Sequence, residues 1–112
     1  MSTIYEVKIT TQAQKHLLEI FDYISLELLA PDAANNLLAK MENSIMSLSE
    51  FPERYQLIDE EPWKSEGIRK IVVNNFLIYY WINKNSCIVY VTAVIYHKKN
   101  QLEELKNMNF ND

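Results

Sequence analysis

Cysteine, glycine and proline are all scarce in this sequence of 112 residues, which contains one, one and three of them. A lone cysteine cannot form an internal disulfide, so Cys87 is expected to be a small core residue inside a strand, in a protein of the reducing cytoplasm. Few glycines and prolines argue against a disordered or loop-rich chain. A glycine-rich phosphate loop is excluded, because Gly67 stands alone.

Long apolar runs and metal-ligand spacings are also missing. No apolar stretch approaches the roughly 18 residues that a bilayer requires. No basic segment followed by an apolar one opens the chain, so we expect no signal peptide and no membrane partner. Two histidines and one cysteine, widely separated, do not match the ligand spacing of zinc sites. The sequence therefore predicts no metal and no other cofactor.

Basic residues are outnumbered by acidic ones, 11 to 15, and the formal net charge is −4. Nucleic-acid affinity comes largely from lysines and arginines that neutralise phosphates, so this balance weighs against a generic nucleic-acid-binding protein. Hydrophobic residues make up 48% of the chain, enough to bury one core without disulfides. We therefore expect residues 1–112 to form a single domain.

Three runs of β-branched and aromatic residues lie in the stretch Ile68–Tyr96, separated by two short polar breaks. Asn74-Asn75 suits a two-residue hairpin turn, because asparagine tolerates positive φ. Asn83–Ser86 has the composition of a four-residue hairpin loop. These features predict a three-stranded antiparallel meander. Its middle run, Phe76–Ile82, is apolar on both faces, as expected of a central strand covered on both sides.

A strand and a helix are predicted before this meander. Residues Ile4–Ile9 alternate in polarity and predict a first strand that joins the sheet. The residues from Thr11 match a capping box, which begins a helix over roughly Gln12–Leu29. Its apolar residues follow a 3.6-residue period and form a stripe that includes Leu28. This stripe is expected to be buried.

A second helix follows at once, because Ala30-Pro31 breaks the first and Pro31 suits a first helical turn. It runs roughly to Leu48, and so short a connection makes an antiparallel helical hairpin. The segment Ser49–Gly67 has no regular period and is rich in acidic residues. Near the end of the chain, Leu102 and Leu105 suggest a short C-terminal helix.

Together these elements predict an α+β domain with the order β-α-α-β-β-β. The helical hairpin packs on one face of an antiparallel sheet. The other face is expected to stay open to a partner, so that any functional site lies on that open face or at its rim.

Candidate functional residues lie at the ends of the predicted sheet and in the irregular segment. His97 follows the last strand beside Tyr96 and Lys98, where it is either a solvent-exposed strand-end residue or a general base for a ribose hydroxyl with cations nearby. Arg69 and Arg54 can hold a phosphate or carboxylate in a bidentate grip, or pair with an acidic residue of the irregular segment.

For the second histidine and the aromatic strand residues, we expect structural rather than functional roles. His16 lies beside the apolar stripe of the first helix, and we expect a structural or surface role for it. Tyr79, Trp81 and Tyr90 are residue types that can stack on nucleic-acid bases, but such residues are more often core. We expect them to belong to the core.

Three stretches, in their order, resemble the RelE/ParE toxin superfamily. They are KITTQAQKHLLEIFDYI, then PDAANNLLAKMENSIMSLSEFPERY, then GIRKIVVNNFLIYYWI followed by VYVTAVIYHKKN, and they span about residues 4–100. Members are toxins of type II toxin–antitoxin modules, including plasmid stabilisation systems, and each is neutralised by a protein antitoxin encoded beside it. The resemblance implies a helical hairpin on an antiparallel sheet, which agrees with the pattern of the residues.

This superfamily divides by target. RelE-like members are metal-free, ribosome-dependent mRNA endonucleases with their catalytic set on the open sheet face and its rim, whereas ParE-like members are associated with DNA gyrase inhibition. Arg69 corresponds to a basic position, and His97 and Lys98 match rim positions of nucleases. Leu77, however, stands where nucleases usually carry an arginine. The resemblance favours a ParE-like toxin that binds a target such as gyrase through Arg69, Arg54 and Lys98 and is not an enzyme.

Two alternatives stay open at this point. In a RelE-like mRNA endonuclease, Arg69 and Lys98 would bind phosphate on the ribosome-bound message, and His97 or Tyr96 would transfer the proton. In an inactive relative, the chain would only bind an antitoxin-like partner.

Overall fold

The computed structural model describes residues 3–97. The elements are β1 (Glu6–Ile9), α1 (Thr11–Asp22), α2 (Pro31–Met46), β2 (Arg69–Val73), β3 (Phe76–Asn83) and β4 (Ile88–Tyr96). This order confirms the predicted β-α-α-β-β-β architecture. Lys98 and the predicted C-terminal helix around Leu102 and Leu105 lie outside the described residues. No helix within residues 3–97 is long and apolar enough to cross a membrane.

The four strands form one sheet in the order β1-β4-β3-β2. β2, β3 and β4 pair antiparallel, as the meander prediction required. β1 joins the edge of β4 in parallel, so the sheet is mixed rather than wholly antiparallel. Alternating polarity predicts which residues face the core but contains no information about strand direction, and the sequence therefore could not show this difference.

The first helix and its cap each begin one residue earlier than predicted. Thr10 is the N-cap, and its hydroxyl oxygen accepts a hydrogen bond from the Ala13 backbone N–H at 3.2 Å. This bond satisfies one of the amide groups that the first helical turn leaves without an intrahelical acceptor. The capping box predicted from Thr11 is therefore shifted by one position.

The same helix also ends earlier than predicted. Its regular part stops at Asp22, and Tyr23–Glu27 continue as a π-helical turn. The chain then reverses at Leu29, whose φ is +52°, in the left-handed region. α2 begins at Pro31, as predicted, and a 3₁₀ turn over Ser47–Ser49 follows it.

Both hairpin connections depend on residues with positive φ. Asn74 has a φ of +52°, which confirms the role expected of asparagine in the first turn. In the second turn, the Asn83 side-chain oxygen accepts a hydrogen bond from the Ser86 backbone N–H at 3.2 Å. Cys87 adopts a φ of +55° and is half-buried in this turn. The prediction of a core cysteine inside a strand was wrong, because β4 begins only at Ile88.

The helical hairpin buries one face of the sheet. Residues from both helices pack on alternate residues of the strands, and the cluster includes Leu17, Met41, Ile45, Ile78 and Val91. The 3.6-residue stripes of the helices and the two-residue alternation of the strands meet in this cluster. This face matches the prediction.

The opposite face, which we call the far face, is not open as expected. Residues 57–68, here called the cover segment, place Ile58, Trp63 and Ile68 on this face. Their partners on the strands are Leu77, Tyr79, Ala93 and Ile95. All seven side chains are at most 7% exposed. The chain itself therefore fills the surface that was expected to receive a partner.

A bulge in β4 is stabilised by polar side chains from the start of α1. The pairing with β3 shifts register at Thr92, which is fully buried. The Thr92 carbonyl accepts hydrogen bonds from Gln12 Nε2 at 2.8 Å and from the Thr10 hydroxyl at 3.4 Å. The Val94 backbone N–H donates to His16 Nδ1 at 3.2 Å. Backbone groups displaced by the bulge thus find partners on the helix, which gives His16 a structural role.

Candidate functional site

Arg69, at the start of β2, is bound by the segment that precedes the cover. Its Nη1 donates to the carbonyl oxygens of Glu53 at 3.1 Å and Tyr55 at 2.6 Å. The expected alternative to phosphate binding was an ion pair with an acidic side chain, but the acceptors are backbone carbonyls. Within residues 3–97 the one salt bridge joins Lys84 to Glu53, at 3.4 Å.

Arg54 is likewise occupied by neighbouring backbone. Its guanidinium donates to the carbonyl oxygens of Glu50 at 2.6 Å and Phe51 at 3.0 Å, and to the Ser47 hydroxyl at 2.7 Å. It also lies 4.7 Å from the centre of the Tyr55 ring. These contacts join the end of α2 to the irregular segment. A role for Arg54 or Arg69 in binding a target stays a prediction.

Two buried tyrosines of β3 are held in their neutral form. Burial, with a smaller contribution from the Glu60 carboxylate, raises the pKa of Tyr79 from 10.0 to about 12. Burial also raises the pKa of Tyr80, although the nearby Arg69 and Arg54 partly oppose this. The Tyr80 hydroxyl donates to the Pro52 carbonyl at 2.6 Å. Near neutral pH, neither hydroxyl can therefore serve as a base.

His97 and Tyr96 lie at the other end of the sheet from Arg69. The His97 backbone N–H donates to the Asn75 carbonyl at 2.7 Å, and Tyr96 pairs with Phe76 on β3. Arg69 pairs with Tyr80, which lies four residues after Phe76 on β3. At about 3.3 Å per residue, Phe76 and Tyr80 are roughly 13 Å apart along the strand. The structure does not bring Arg69 and His97 together.

Leu77 lies on the far face, where the resemblance to nucleases would place an arginine. It is 1% exposed and packs in the cluster that Trp63 and Ile68 complete. Trp81 packs against the same cluster and stacks on Tyr90, with ring centres 5.0 Å apart. The middle of this face therefore offers an incoming nucleotide neither a charge nor open space.

An open groove of about 750 Å³ lies between α1 and the ends of β3 and β4. We call it the hairpin groove. Its helical wall consists of His16, Glu19, Ile20, Tyr23, Ile24 and Leu28. Its sheet wall consists of Phe76, Val94, Ile95 and Tyr96. Most of these side chains are apolar, which is typical of a surface that binds another chain.

Apolar side chains continue from the groove onto the tip of the helical hairpin. Tyr23 and Leu28 are each 56% exposed, Leu26 is 66% exposed and Leu29 is 82% exposed. Leu29 also holds its left-handed backbone without being glycine or asparagine, a conformation that costs about 1–2 kcal/mol. Exposed leucines on a strained π-helical connection mark this tip as a candidate interaction surface.

The sequence prediction missed this surface because it assigned Leu28 to the buried stripe. The run Leu26-Glu-Leu28-Leu29 contained the signal, since one helical face cannot bury all three leucines. No side-chain period predicts a groove at this point. The π-helical turn Tyr23–Glu27 ends the regular period at the point where these leucines become exposed.

Among residues 3–97, no three His, Cys, Asp or Glu side chains are placed to share a metal ion.

Comparison with known proteins gives a family match and several similar folds. Residues 7–101 match the family model described as the ParE toxin of the type II toxin–antitoxin system parDE. No curated protein matches the sequence significantly. The chromosomal ParDE system from P. aeruginosa contains a similar structure, with a TM-score of 0.67 and 17% identity over 85% of this chain and 98% of that one.

Two further solved structures share the fold. One belongs to the toxin–antitoxin complex RelBE2 from Mycobacterium tuberculosis, with a TM-score of 0.62 and 20% identity over 83% of this chain and 98% of that one. The other is a mutant of the E. coli toxin RelE in the free state, with a TM-score of 0.63 and 12% identity over 93% and 97%. At these identities the likeness concerns the fold.

Proposed function

Because the chain belongs to the ParE toxin family of type II toxin–antitoxin systems, we propose that it inhibits a cytoplasmic target, DNA gyrase, by binding rather than by catalysis. A cognate antitoxin neutralises it. The observation that carries the choice of mechanism is the closed far face, where Trp63 and the rest of the cover segment bury Leu77.

The positions of the remaining candidate groups support the same choice. A general base and the group that binds the phosphate must both reach one substrate, within about 3 Å of the reacting atoms. Arg69 is bound to two carbonyls on the helix-covered side, and His97 lies at the opposite end of the sheet. This arrangement does not favour the alternative of a metal-free mRNA endonuclease.

The hairpin groove is the surface that we assign to the antitoxin. The sequence predicts that the antitoxin lays a helix or strand across either the open sheet face or the helical hairpin. The cover segment occupies the first, and the exposed leucines Leu26, Leu28 and Leu29 remain at the second. An antitoxin helix that lays its apolar face along α1 would remove these side chains from water.

A supercoiling assay tests the proposal. Purified chain is titrated into DNA gyrase, relaxed plasmid and ATP, with and without the small protein encoded by the neighbouring reading frame. We expect supercoiling to stop and the small protein to restore it, whereas the small protein alone has no effect. Full supercoiling at saturating chain would contradict gyrase as the target.

The predicted target-binding set, Arg54, Arg69 and Lys98, is tested in the same assay. If Lys98 contacts the target, Lys98→Ala raises the concentration needed for inhibition. Expression without growth arrest, while the neighbouring protein still co-purifies, would identify an inactive relative instead.

A further inference from the structure

Acidic residues predominate along the helical side of the hairpin groove. Between His16 and Ala39, a stretch flanked by Lys15 and Lys40, the sequence contains four acidic residues and no lysine or arginine. The acidic residues are Glu19, Asp22, Glu27 and Asp32, and all four are exposed. The one salt bridge among the described residues, Lys84 with Glu53, lies elsewhere. None of these four carboxylates forms a salt bridge with a basic side chain among residues 3–97.

The acidic residues lie next to apolar side chains that are accessible. Glu19 lines the groove itself, beside Ile20 and Tyr23. Glu27 is flanked along the chain by Leu26 and Leu28, which are 66% and 56% exposed. An apolar floor with an acidic rim complements an amphipathic helix whose polar face is basic.

The length of the groove agrees with a helical occupant. Its helical wall extends from His16 to Leu28, and at about 1.5 Å per residue this wall is about 18 Å long. That length matches roughly three turns of a partner helix packed along α1.

We propose that the hairpin groove binds a basic amphipathic helix, whose apolar face fills the groove and whose lysines or arginines meet Glu19, Asp22 and Glu27. Insofar as this helix belongs to the antitoxin, the inference rests on the proposed function. It adds that the partner helix is basic, so an acidic helix is expected to bind the groove less tightly.

The carboxylates give selectivity and speed of association more than raw affinity. They are exposed, so each pair with a partner cation is weak and screened by salt. Taken together, about three such pairs amount to roughly a tenfold preference for a basic over an acidic helix at low salt.

Two synthetic helical peptides separate the charge from the apolar contact. Both have the same leucine face, and the polar face is lysine in one and glutamate in the other. Each is titrated into the full chain in 20 mM salt and followed by amide chemical shifts and calorimetry. We expect the lysine peptide to bind about tenfold more tightly, with shifts at Ile24, Leu28 and Val94, and the preference to shrink in 500 mM salt.

Variants test whether the preference comes from the groove. Glu19→Lys combined with Glu27→Lys should abolish or reverse it, while Leu28→Ser weakens both peptides. Asp59→Lys combined with Glu66→Lys changes the net charge equally at exposed positions in the cover segment and should preserve the preference. Equal loss in this control, or shifts outside the groove, would overturn the proposal, as would tighter binding of the glutamate peptide.

The outcomes distinguish this inference from the proposed function. A chain that inhibits gyrase and is neutralised by its antitoxin, yet prefers the glutamate peptide, would refute the charge assignment alone. A chain that binds the lysine peptide in the groove but leaves gyrase active would support this inference and refute the proposed target.

Discussion

The two faces of β3 are equally buried but are covered in different ways. On the helix side, Ile78 and Tyr80 are fully buried beneath α1 and α2. On the far side, Leu77 and Tyr79 are 1% exposed beneath the cover segment, which contains no helix or strand. One cover is regular and the other is irregular, so equal burial does not require equally regular structure.

This difference has a functional consequence. The regular cover is the part that all RelE/ParE-like chains are expected to share, according to the resemblance. The irregular cover fills the face where that resemblance would place a nuclease site, and it leaves the hairpin groove as the accessible apolar surface. Closure of the far face by this loop is what favours binding over cleavage in the proposed function.

Truncation of one buried side chain in each cover gives the strongest test of the comparison. We expect Trp63→Ala to lower the free energy of unfolding by about 3–5 kcal/mol and Ile45→Ala, on the helix side, by about 2–5 kcal/mol. Urea denaturation measures both. Met46→Ala, at a site that is 58% exposed, should cost at most about 0.5 kcal/mol. A cost below about 1 kcal/mol for Trp63→Ala would show that the far cover is loosely packed.

The cap of α1 tests the helix side alone. Thr10→Ala removes the hydrogen bond to the Ala13 amide and the one to the Thr92 carbonyl at the β4 bulge. We expect a loss of about 1–2 kcal/mol of unfolding free energy, again from urea denaturation. Thr10→Ser keeps the hydroxyl and should restore most of it. Equal losses in the two variants would contradict the capping role.

The two tyrosine hydroxyls contrast the faces atom by atom. Tyr80→Phe removes the donor to the buried Pro52 carbonyl, and we expect a loss of about 1 kcal/mol of unfolding free energy. Within the described residues the Tyr79 hydroxyl donates to no protein atom, so Tyr79→Phe should be nearly neutral at pH 7. Thermal denaturation of the two variants side by side measures the difference. An equal effect of both substitutions would break the contrast.

Alkaline pH tests the burial of Tyr79 on the far face. Its pKa is raised from 10.0 to about 12, so the folded state favours the neutral hydroxyl. The resulting stability is fully present below pH 10 and is lost as pH rises from 10 towards 12. We expect a loss of about 1 kcal/mol by pH 11, measured by urea midpoints at pH 9 and pH 11. Tyr79→Phe should reduce this loss of stability between pH 9 and pH 11. An unchanged loss would show that other groups cause it.

The sequence predicted the regular half of the molecule well. Period-two and period-3.6 patterns predicted the strands and the helical hairpin, and Asn74 predicted the turn between β2 and β3. These features depend on residues that are close together in the sequence. The apolar character of both faces of Phe76–Ile82 even indicated two covers. The second cover was missed because Ile58, Trp63 and Ile68 are five residues apart in turn, which fits neither a strand nor a helix.

The candidate site was less predictable than the fold. His97, Arg69 and Arg54 were chosen for their chemistry, but their neighbours depend on how the irregular segment folds back. Both arginines donate hydrogen bonds to backbone carbonyls of that segment, and no sequence pattern predicts a backbone acceptor. Two lining residues of the groove, Tyr23 and Ile24, lie in the π-helical turn after Asp22, which likewise leaves no periodic signature in the sequence.

In the proposed function, this toxin acts without cutting RNA, because its own cover segment closes the far face. Primer extension on mRNA from translating ribosomes incubated with the purified chain tests it most directly. We predict that the purified chain produces no new 3′ ends, even at the concentration that it reaches in cells whose growth it arrests. New ends that appear with the intact chain and vanish with His97→Ala would contradict the account.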